Sequence, residues 1–403
     1  MMRSLFSGLA GMRTQQHYMD VIGNNIANVN TAGYKGARTT FEDLLYTSLR
    51  AASAGSNPVQ VGAGARVASI DTVFRQGNPQ ATGSQLDLAI IGEGFLVLSV
   101  DGRQAYTRSG VLSFDTEGYL VHTATGGRVM GWTADSNGVI PVGRSLTELR
   151  VAPGLRAPAA ATTDVVFSGL FDARLPVGTT LTRDITVIDS LGREQTLTID
   201  FTRMDNDTWA WELYDPASPG TPLAADTIRF DGDGRVVGGA LSAPVSFTPA
   251  DGLSATFSFR LDFSACESGG GELSIFADQR GGIEAGNLED VAIDELGRLV
   301  GVFSNGVHRV LGQISLATFA NPGGLERLSG NLFAATENSG RANTSTAPGD
   351  GRGKFSPGYL EMSNVDLTEE FTSMILSQRA FQANSRVVTA ADELLQEVIN
   401  LRR

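Results

Sequence analysis

Apolar residues recur every three or four positions at both ends of the chain, and this spacing predicts a long amphipathic α-helix at each end. The two stretches are residues 2–29 and 367–399. Each pattern places one narrow apolar seam along its helix, and neither helix can bury that seam alone. We therefore predict that the two ends pair. The seam residues are Leu5, Leu9, Met12, Met19, Ile22, Ile26 and Val29 in the first helix, and Phe371, Met374, Phe381, Val388, Leu395 and Ile399 in the second.

Between the two helices, short runs that alternate apolar and polar residues are separated by turn signals, which is typical of β-strands. One turn pattern, with Asp first and Gly last, recurs at residues 115–118, 189–192, 231–234 and 294–297. Asp caps such a turn through its side chain, and Gly adopts the positive φ that ends it. The sequence therefore predicts a mainly β fold with terminal α-helices, in which nested β domains stand on a helical coiled-coil pair formed by the N- and C-terminal segments.

Stretches of small residues indicate where the chain divides. Pro, Ala and Thr are concentrated at residues 152–163, and three glycines follow Ser268. Residues 37–60 carry an apolar patch compatible with a helical turn or two, and 51–58 are typical of a linker. We predict a terminal helical domain from residues 1–30 and 360–403, a linker or inter-subunit segment at 31–70, a β domain from 71–150 and 272–359, and an inserted outer β domain at 151–271.

The chain of 403 residues carries a formal net charge of −13. This acidic balance disfavours nucleic acid as a partner, because phosphates require a basic surface. No apolar run is long enough to predict a membrane span. The N-terminal stretch also lacks the pattern of a cleaved secretory signal, so any export is expected to use another route.

Nothing in the sequence indicates a catalytic, cofactor-binding or metal site, and we predict that the chain is not an enzyme. Residues 231–234 resemble the start of a calcium loop, but Ser242 stands where that loop needs an acidic residue, so a hairpin turn explains them better. The single cysteine, Cys266, rules out an internal disulfide and is expected to be buried. The histidines lie in three different segments, without metal-ligand spacing: His17, His122 and His308.

The first helix contains residues that are costly in a helix interior. Gly8, Gly11 and Gly23 each cost about 1 kcal/mol relative to Ala, a cost that close helix packing in an oligomer would offset. Asn is also a poor helix former. Its cluster has two interpretations of comparable weight: caps at a helix end, or lateral hydrogen bonds between copies packed around an axis. The cluster consists of Asn24, Asn25, Asn28 and Asn30.

In the second helix, polar residues interrupt the predicted seam at Gln378, Ser385 and Asp392. Such residues fix the register of a two-stranded coil, or face a neighbouring chain or a wet lumen.

Three long motifs carry a resemblance to a known family. They are residues 20–35, residues 86–95 together with 106–110, and residues 377–385 running into 391–395. On these motifs the chain resembles the axial proteins of the bacterial flagellar rod and hook family, and specifically its hook proteins. Rod proteins share the two ends but lack a large insertion, so the inserted segment favours the hook.

The resemblance implies that copies assemble helically into a short, curved, hollow tube outside the cell, a universal joint that transmits torque from rod to filament. The terminal helices would form the inner tube, and the seam residues with Asn24, Asn25 and Asn28 would mediate self-assembly. The implied location is the hook or basal body of the flagellum, reached without a cleaved signal peptide. The implied partners are further copies of the chain, the distal rod protein, the hook–filament junction protein, the hook cap protein during assembly and the flagellar type III export apparatus.

Two alternatives remain open. A distal rod protein would form a straight shaft instead of a curved tube. From a different class, a secreted β-rich adhesin with a coiled-coil stalk would act as a dispersed monomer or small oligomer. An isolated helix pair buries too little apolar surface to offset its chain entropy. We therefore predict ends that are disordered in the monomer and ordered in the polymer.

Overall fold

One α-helix lies at each end of the chain, and strands fill the sequence between them. The helices are α1 (Met2–Ala27) and α2 (Leu367–Asn400), which confirms the prediction of a mainly β fold with terminal helices. The linker predicted at 51–58 lies outside the described residues, apart from Asn57. The computed structural model describes residues 2–50, 57, 59–135, 138–141, 143, 145–218, 220–249, 255–271, 274–349 and 351–400.

The strands are short, as the frequent turn residues predict. The first group is β1 (Ala37–Asp43), β2 (Tyr46–Arg50), β3 (Val59–Gly62), β4 (Ala65–Thr72), β5 (Pro79–Ala81), β6 (Leu88–Ile91), β7 (Phe95–Val100), β8 (Arg103–Thr107), β9 (Leu112–Phe114), β10 (Leu120–His122), β11 (Arg128–Thr133) and β12 (Thr147–Glu148). The second group is β13 (Arg156–Ala157), β14 (Asp164–Asp172), β15 (Thr180–Ile188), β16 (Glu194–Arg203), β17 (Thr208–Tyr214), β18 (Ala224–Phe230), β19 (Val236–Gly238), β20 (Val245–Phe247), β21 (Phe257–Gly269), β22 (Ser274–Arg280) and β23 (Gly286–Ile293). The third group is β24 (Arg298–Phe303), β25 (His308–Ile314), β26 (Leu316–Thr318), β27 (Glu326–Arg327), β28 (Leu332–Ala334), β29 (Asn343–Ser345), β30 (Lys354–Pro357) and β31 (Tyr359–Glu361).

The segment after α1 forms a two-stranded ribbon, so the helical turns suggested by its apolar patch were wrong. β1 pairs antiparallel with β4, and β2 pairs with β3. The ribbon lies against α1: the rings of Tyr18 and Phe41 meet edge-on with centroids 5.5 Å apart, and Thr14 Oγ1 donates to Ala65 O at 3.0 Å. A short apolar run is ambiguous between helix and strand, and here packing against α1 selects the strand.

The chain forms two compact units, and the first consists of Met1–Pro153, Val291–Gly301 and Arg309–Arg403. Its core is built around β7, which pairs with β8, β11 and β26. Phe95 contributes to an aromatic cluster with Tyr106, Phe319 and Phe333. The next three residues along β7 are also buried, because both faces of this strand are covered.

The second unit consists of Gly154–Asp290 and Val302–His308 and is a β-sandwich. One sheet has the strand order β15-β16-β17-β18-β19, and the other has the order β20-β21-β14-β22. Alternate residues of β16 point inward, and Ile199 and Phe201 are fully buried. Phe167 from the other sheet meets Phe201 with ring centroids 5.8 Å apart, so both sheets contribute to one core. Cys266 is buried in this core, as predicted.

All four predicted Asp–Gly turns are present. In each turn, Oδ1 of the Asp accepts hydrogen bonds from the backbone N–H groups two and four residues later, at 2.7 to 3.0 Å. The closing glycine has a φ between +72° and +84° in every case. Residues 231–234 are therefore a hairpin turn, because their first carboxylate is bonded to the backbone of the turn itself.

The two units do not coincide with the four predicted segments. The second unit begins close to the predicted boundary at 151, but it continues to Asp290 and includes Val302–His308. Both helices, the ribbon and the β7 core belong to the first unit. The finer division of that unit into helical, linker and β parts stays a prediction.

Candidate assembly site at the terminal helices

The two terminal helices pair antiparallel. Contacts between them run in opposite order along the two sequences, as in the pairs Gly8 with Val388, Gln15 with Ser377, and Asn25 with Glu370. The pairing uses the apolar spacing at both ends of the chain.

Two of the three helical glycines allow this close approach. A Cβ on Gly8 would lie 3.0 Å from Val388 Cγ2, and a Cβ on Gly11 would lie 2.7 Å from Asn384 Nδ2. A Cβ on Gly23 would meet no heavy atom within 4 Å. Packing within one chain therefore accounts for Gly8 and Gly11, while Gly23 lies on an outer face.

The residues that complete the seam of α2 each lie one position before a predicted polar interruption: they are 377, 384 and 391, where 378, 385 and 392 were predicted. Ser377 is buried, whereas Gln378 and Asp392 are exposed, and Ser385 is half-buried. The reason is that glycines bring the α1 backbone so close that only small side chains fit between the apolar residues. The observed seam consists of Met374, Ser377, Phe381, Asn384, Val388, Ala391 and Leu395, none of which is exposed.

The residues predicted for self-assembly differ widely in exposure. Ile22 and Asn25 are buried inside the unit, and their part in self-assembly stays a prediction. The exposed members are Leu9, Asn24, Phe371 and Ile399. The half-buried members are Leu5, Met12, Met19, Ile26, Asn28, Val29, Met374, Phe381, Val388 and Leu395.

A second apolar stripe runs along the outer side of α2. Leu376, Val387, Leu394 and Val398 are 46 to 62% exposed. Exposed alanines at 383 and 390 fall between them, so that from position 383 onward the members are three or four residues apart. We call these residues the outer stripe. The spacing of its leucines and valines is visible in the sequence, but the stripe lies beside the predicted seam on the same helix and was not among the predicted residues.

Asn25 makes all of its described hydrogen bonds inside the unit. Its Nδ2 donates to Ala37 O and to Glu370 Oε1, both at 2.8 Å. Its Oδ1 accepts from Ala37 N at 2.9 Å and from the Tyr34 hydroxyl at 3.2 Å. Burial raises the pKa of Glu370, and the hydrogen bond from Asn25 partly opposes that shift. The Asn25 side chain therefore joins α1, β1 and α2 within the unit and does not cap the helix, while its predicted contact between copies stays a prediction.

The capping interpretation does fit two other members of the asparagine cluster. Asn28 Nδ2 donates to Asn24 O at 2.9 Å and to Asn24 Oδ1 at 3.0 Å, and Asn28 Oδ1 accepts from Thr31 Oγ1 at 3.2 Å. These bonds satisfy the free carbonyl end of α1. Asn30 is exposed.

Residues 32–36, which we call the connector, link α1 to β1 without regular secondary structure. Residues 33–36 are buried, and their backbone groups are bonded by residues far away in the sequence. These bonds are Asn331 Nδ2 to Ala32 O at 3.2 Å, Gly33 N to Glu361 O at 2.7 Å, Arg327 Nη2 to Lys35 O, and Gly36 N to Asn364 Oδ1 at 2.9 Å. The connector is thus fixed by tertiary contacts, as buried backbone requires.

Three charged side chains are buried where the connector meets the strands, and we call them the charge cluster: Lys35, Arg108 and Glu361. Their side chains are at most 4% exposed. Lys35 Nζ donates to Glu361 Oε1 at 2.6 Å and to Arg75 O at 2.9 Å, and Arg108 Nη1 lies 3.6 Å from Glu361 Oε2. Burial lowers the pKa of Lys35 and of Arg108, and Glu361 opposes both shifts.

This cluster was not among the residues predicted from the sequence. Lys35 and Arg108 lie within two of the motifs, and Lys35 is one of only two lysines in the chain, with Lys354. That scarcity was a usable signal, because a lysine in a chain that otherwise uses arginine as its cation indicates a site that requires the lysine side chain. Nothing in the sequence pointed to Glu361.

The described residues give no support for a metal site or a membrane span. No group of three or more His, Cys, Asp or Glu side chains in the described part of the chain is arranged to hold a metal ion. No helix in that part is long and apolar enough to cross a membrane. His122 is buried between two hydroxyls, Ser109 Oγ at 3.1 Å and Thr125 Oγ1 at 2.8 Å, and burial lowers its pKa.

Four family models match the chain in sequence order. "Flagella basal body rod protein" matches residues 6–35, which cover α1 except its first residues and most of the connector. "Flagellar hook protein FlgE/F/G D1 domain" matches 89–161, and "Flagellar basal body protein FlaE D2 domain" matches 155–281. "Flagellar basal body rod FlgEFG protein C-terminal" matches 356–401 and so contains Glu361 and α2.

Full-length relatives agree with these models. The chain is 37% identical to flagellar hook protein FlgE of Treponema pallidum and 35% identical to that of Borreliella burgdorferi, and in each case all of both chains is covered. It is also 30% identical to flagellar basal-body rod protein FlgG of Bacillus subtilis, again over all of both chains. With hook-protein identity above that to the rod protein and an inserted domain matched by its own model, the chain belongs to the flagellar hook proteins of the rod and hook axial family.

Proposed function

We propose that this chain is the structural subunit of a bacterial flagellar hook, and that copies polymerise helically into a curved, hollow universal joint that transmits torque from rod to filament. The observation that carries the assembly step is the outer stripe of α2. A row of leucines and valines left in water on a folded helix is unfavourable, at about 25 cal/mol for each Å² of apolar surface. Such a patch on a soluble protein marks an interface.

A second copy of the chain is the occupant that best fits the outer stripe. Its three-and-four spacing is that of a helix–helix seam, so the complementary surface is another amphipathic helix. A membrane surface fits less well, because membrane-binding helices are rich in basic residues, whereas Glu393 and Glu397 flank Leu394. The chain supplies helices of the required kind at both of its ends.

The remaining partners and the location follow from the family alone. We propose that the polymer meets a distal rod protein at one end and a hook–filament junction protein at the other, with a cap protein present during growth. Export would use the flagellar type III apparatus, and the polymer would lie outside the cell. A net charge of −13 is compatible with an exposed, soluble exterior.

A charge on the outer stripe tests the assembly step. Leu394→Lys changes a side chain that is 52% exposed, so the single chain should fold normally. Packing a lysine between apolar helices is costly, and polymerisation should stop. Gln396→Lys, an exposed site two residues away, is the matched control and should polymerise like the parent. Sedimentation and electron microscopy report the polymer; normal tubes from Leu394→Lys would refute the role of this stripe.

Truncation tests the need for the terminal helices. Removing residues 1–30 or 360–403 should leave the second unit folded and abolish polymerisation, because the helix pair is then incomplete. Circular dichroism of the dilute full-length monomer should show less helix than the polymer, as predicted for ends that become ordered on assembly. A full helical signal in the dilute monomer would contradict that expectation.

The identity to a rod protein supports one alternative, a distal rod subunit. The two proposals differ in the shape of the polymer, because a rod is straight and a hook is curved. Electron microscopy of tubes grown from the purified chain distinguishes them, and uniformly straight tubes would favour the rod.

A further inference from the structure

We propose that Lys35 and Glu361 form a latch that closes the connector onto the strands of the first unit, and that this latch fixes the direction in which the terminal helices leave those strands. Arg108 is the fixed part of the socket. The inference deepens the proposed function and rests on it, because the direction of the helices matters through the shape of the polymer. Lys35 and Glu361 are positioning residues, since both side chains are buried inside the first unit.

The socket is held without Lys35. Glu361 Oε1 accepts a hydrogen bond from Gly77 N at 2.8 Å, and Glu361 Oε2 faces Arg108 Nη1 at 3.6 Å. Arg108 is itself held by a bond from Nη1 to Gly92 O at 2.8 Å, and its guanidinium lies over the Phe95 ring at 5.2 Å. The position of the Glu361 carboxylate is therefore fixed by Gly77 and Arg108, independently of Lys35.

Lys35 is the part of the latch that belongs to the connector, so its bonds fix the connector to the first unit. Its Nζ spans two places on the strands, Glu361 in β31 and the carbonyl of Arg75 between β4 and β5. Two residues earlier, Gly33 passes so close to the strands that a Cβ would lie 2.5 Å from Ser109 N. The ion pair and this close approach together restrict where the connector can lie.

The latch lies between the two helices in sequence. Lys35 follows the end of α1, and Glu361 precedes Asp366, whose Oδ1 accepts the Thr368 N–H at 2.8 Å at the start of α2. One ion pair therefore fixes the roots of both helices to the same strands. A change in its geometry shifts both helices together, which is why we assign it to the direction of the helices as well as to stability.

The charges make the latch testable, because the cluster holds two cations and one anion. Glu361→Gln keeps the acceptor oxygen but leaves Lys35 as a buried cation without a counter-ion and leaves Arg108 with the charge of Glu93 alone, the most damaging change. Lys35→Met removes one cation and leaves Arg108 paired with Glu361, a milder change. Adding Lys35→Met to Glu361→Gln removes one of the two buried cations and, with it, the repulsion between them. The double variant should therefore be closer to the parent than Glu361→Gln alone.

The experiment compares these variants in the full-length chain with Glu42→Gln as the matched control. Glu42 pairs with Arg66 at the surface, with side chains 42% and 65% exposed, so its neutralisation should change nothing. Hydrogen exchange is measured by mass spectrometry for connector peptides, with β7 and β16 peptides as references, in monomer and polymer. Polymer curvature is measured by electron microscopy. The parent polymer is the reference, so a parent that forms no tubes refutes the proposed function and not the latch.

We expect connector exchange in the polymer to rise at least tenfold in Glu361→Gln, less in Lys35→Met, and to fall back in the double variant, with altered curvature in Lys35→Met tubes. Parent-like exchange in Glu361→Gln, or additive effects in the double variant, overturns the latch. If Glu361→Gln also loses protection in β7, the first unit itself is destabilised, and the latch is then judged from Lys35→Met. A released connector with β7 intact and altered curvature supports the latch, and an unchanged connector or unchanged curvature overturns it.

Discussion

Replacing Asn25 by Ala should release the junction between α1, β1 and α2 without disturbing the second unit. Asn25 is 2% exposed, and its side chain makes two hydrogen bonds as donor and two as acceptor. The two bonds to the Ala37 backbone contribute most, because the partner groups are left without this bond when the amide is removed. The bond to Glu370 contributes less, since that carboxylate is half-buried and can turn toward water.

The magnitude follows from these bonds. A hydrogen bond contributes about 1 kcal/mol net, and a buried group left without a partner costs about 1–3 kcal/mol. We expect a loss of about 3 kcal/mol, which corresponds to roughly a hundredfold rise in local opening. Asn24→Ala is the matched control: Asn24 is exposed, and without its side chain Asn28 Nδ2 keeps the bond to the Asn24 carbonyl. Ala also favours the helix by about 0.5 kcal/mol, so this variant should be close to neutral.

Hydrogen exchange resolved by peptide is the appropriate assay, because a chain of two units does not unfold in one step. Protection should fall about a hundredfold in the peptides that cover the connector and β1, and should be unchanged in β16. Equal protection in Asn25→Ala and Asn24→Ala would refute the assignment of Asn25 to the interior. It would restore the interpretation that this asparagine bonds between copies.

A carboxylate at the same site adds a dependence on pH. Asn25→Asp places a second acid beside Glu370, whose pKa burial already raises. A folded-state pKa above the unfolded value means that the folded state holds the proton more tightly, so stability is lost as pH rises through the range above 4.5. The Asn25→Asp variant should therefore be less stable at about pH 7 than at about pH 5. A flat profile would count against a close contact between Asn25 and Glu370.

Two further outcomes test the packing. Gly23→Ala should stabilise the monomer by about 1 kcal/mol, because open space surrounds that position. In Gly8→Ala, the contact with Val388 should cancel or exceed the same gain. Helix content, measured by circular dichroism, reports both effects. If Gly23→Ala also raises the concentration needed for polymerisation, Gly23 contacts a neighbour, and an unchanged concentration rules that out. Burial raises the pKa of Cys266 to about 12, so the folded chain should resist thiol reagents at about pH 8 and react only as fast as the second unit opens. Since the raised pKa belongs to the folded state, ionisation of this thiol should lower stability only above its ordinary value of 9.0, and rapid labelling of folded protein would contradict the burial.

Long periodic patterns and Asp–Gly turns were predictable from the sequence because each depends on neighbours within one element. Both helices and all four turns lie where local chemistry places them. The remaining residues of a seam were harder to assign. Apolar residues that recur every seven positions do not determine whether the position three or four residues after each of them also faces the partner helix. In α2 the small residues Ser377 and Asn384 complete the seam in place of Gln378 and Ser385. That choice depends on glycines nearly the whole chain length away.

The junction could not be predicted in the same way, because its residues become neighbours only through the fold. Lys35, Arg108 and Glu361 are far apart in the sequence and share no periodicity. A buried charge is also improbable from residue type alone, since Lys, Arg and Glu are rarely buried without a partner. The motifs were informative about family, while the reason for their residues, such as Asn25 and Gly33, appears only in the contacts.

The structure also separates two helices that the sequence treated alike. α1 is covered by α2 on one side and by the ribbon on another, and beyond Phe6 and Leu9 its outer face carries exposed polar residues such as Arg13 and Asp20. α2 contacts α1 along one seam and keeps the outer stripe free along its length. A helix with two apolar stripes cannot bury both of them in an isolated pair, because one stripe always faces water. The pair is therefore incomplete in a single copy, and α2 is the helix whose burial a polymer completes.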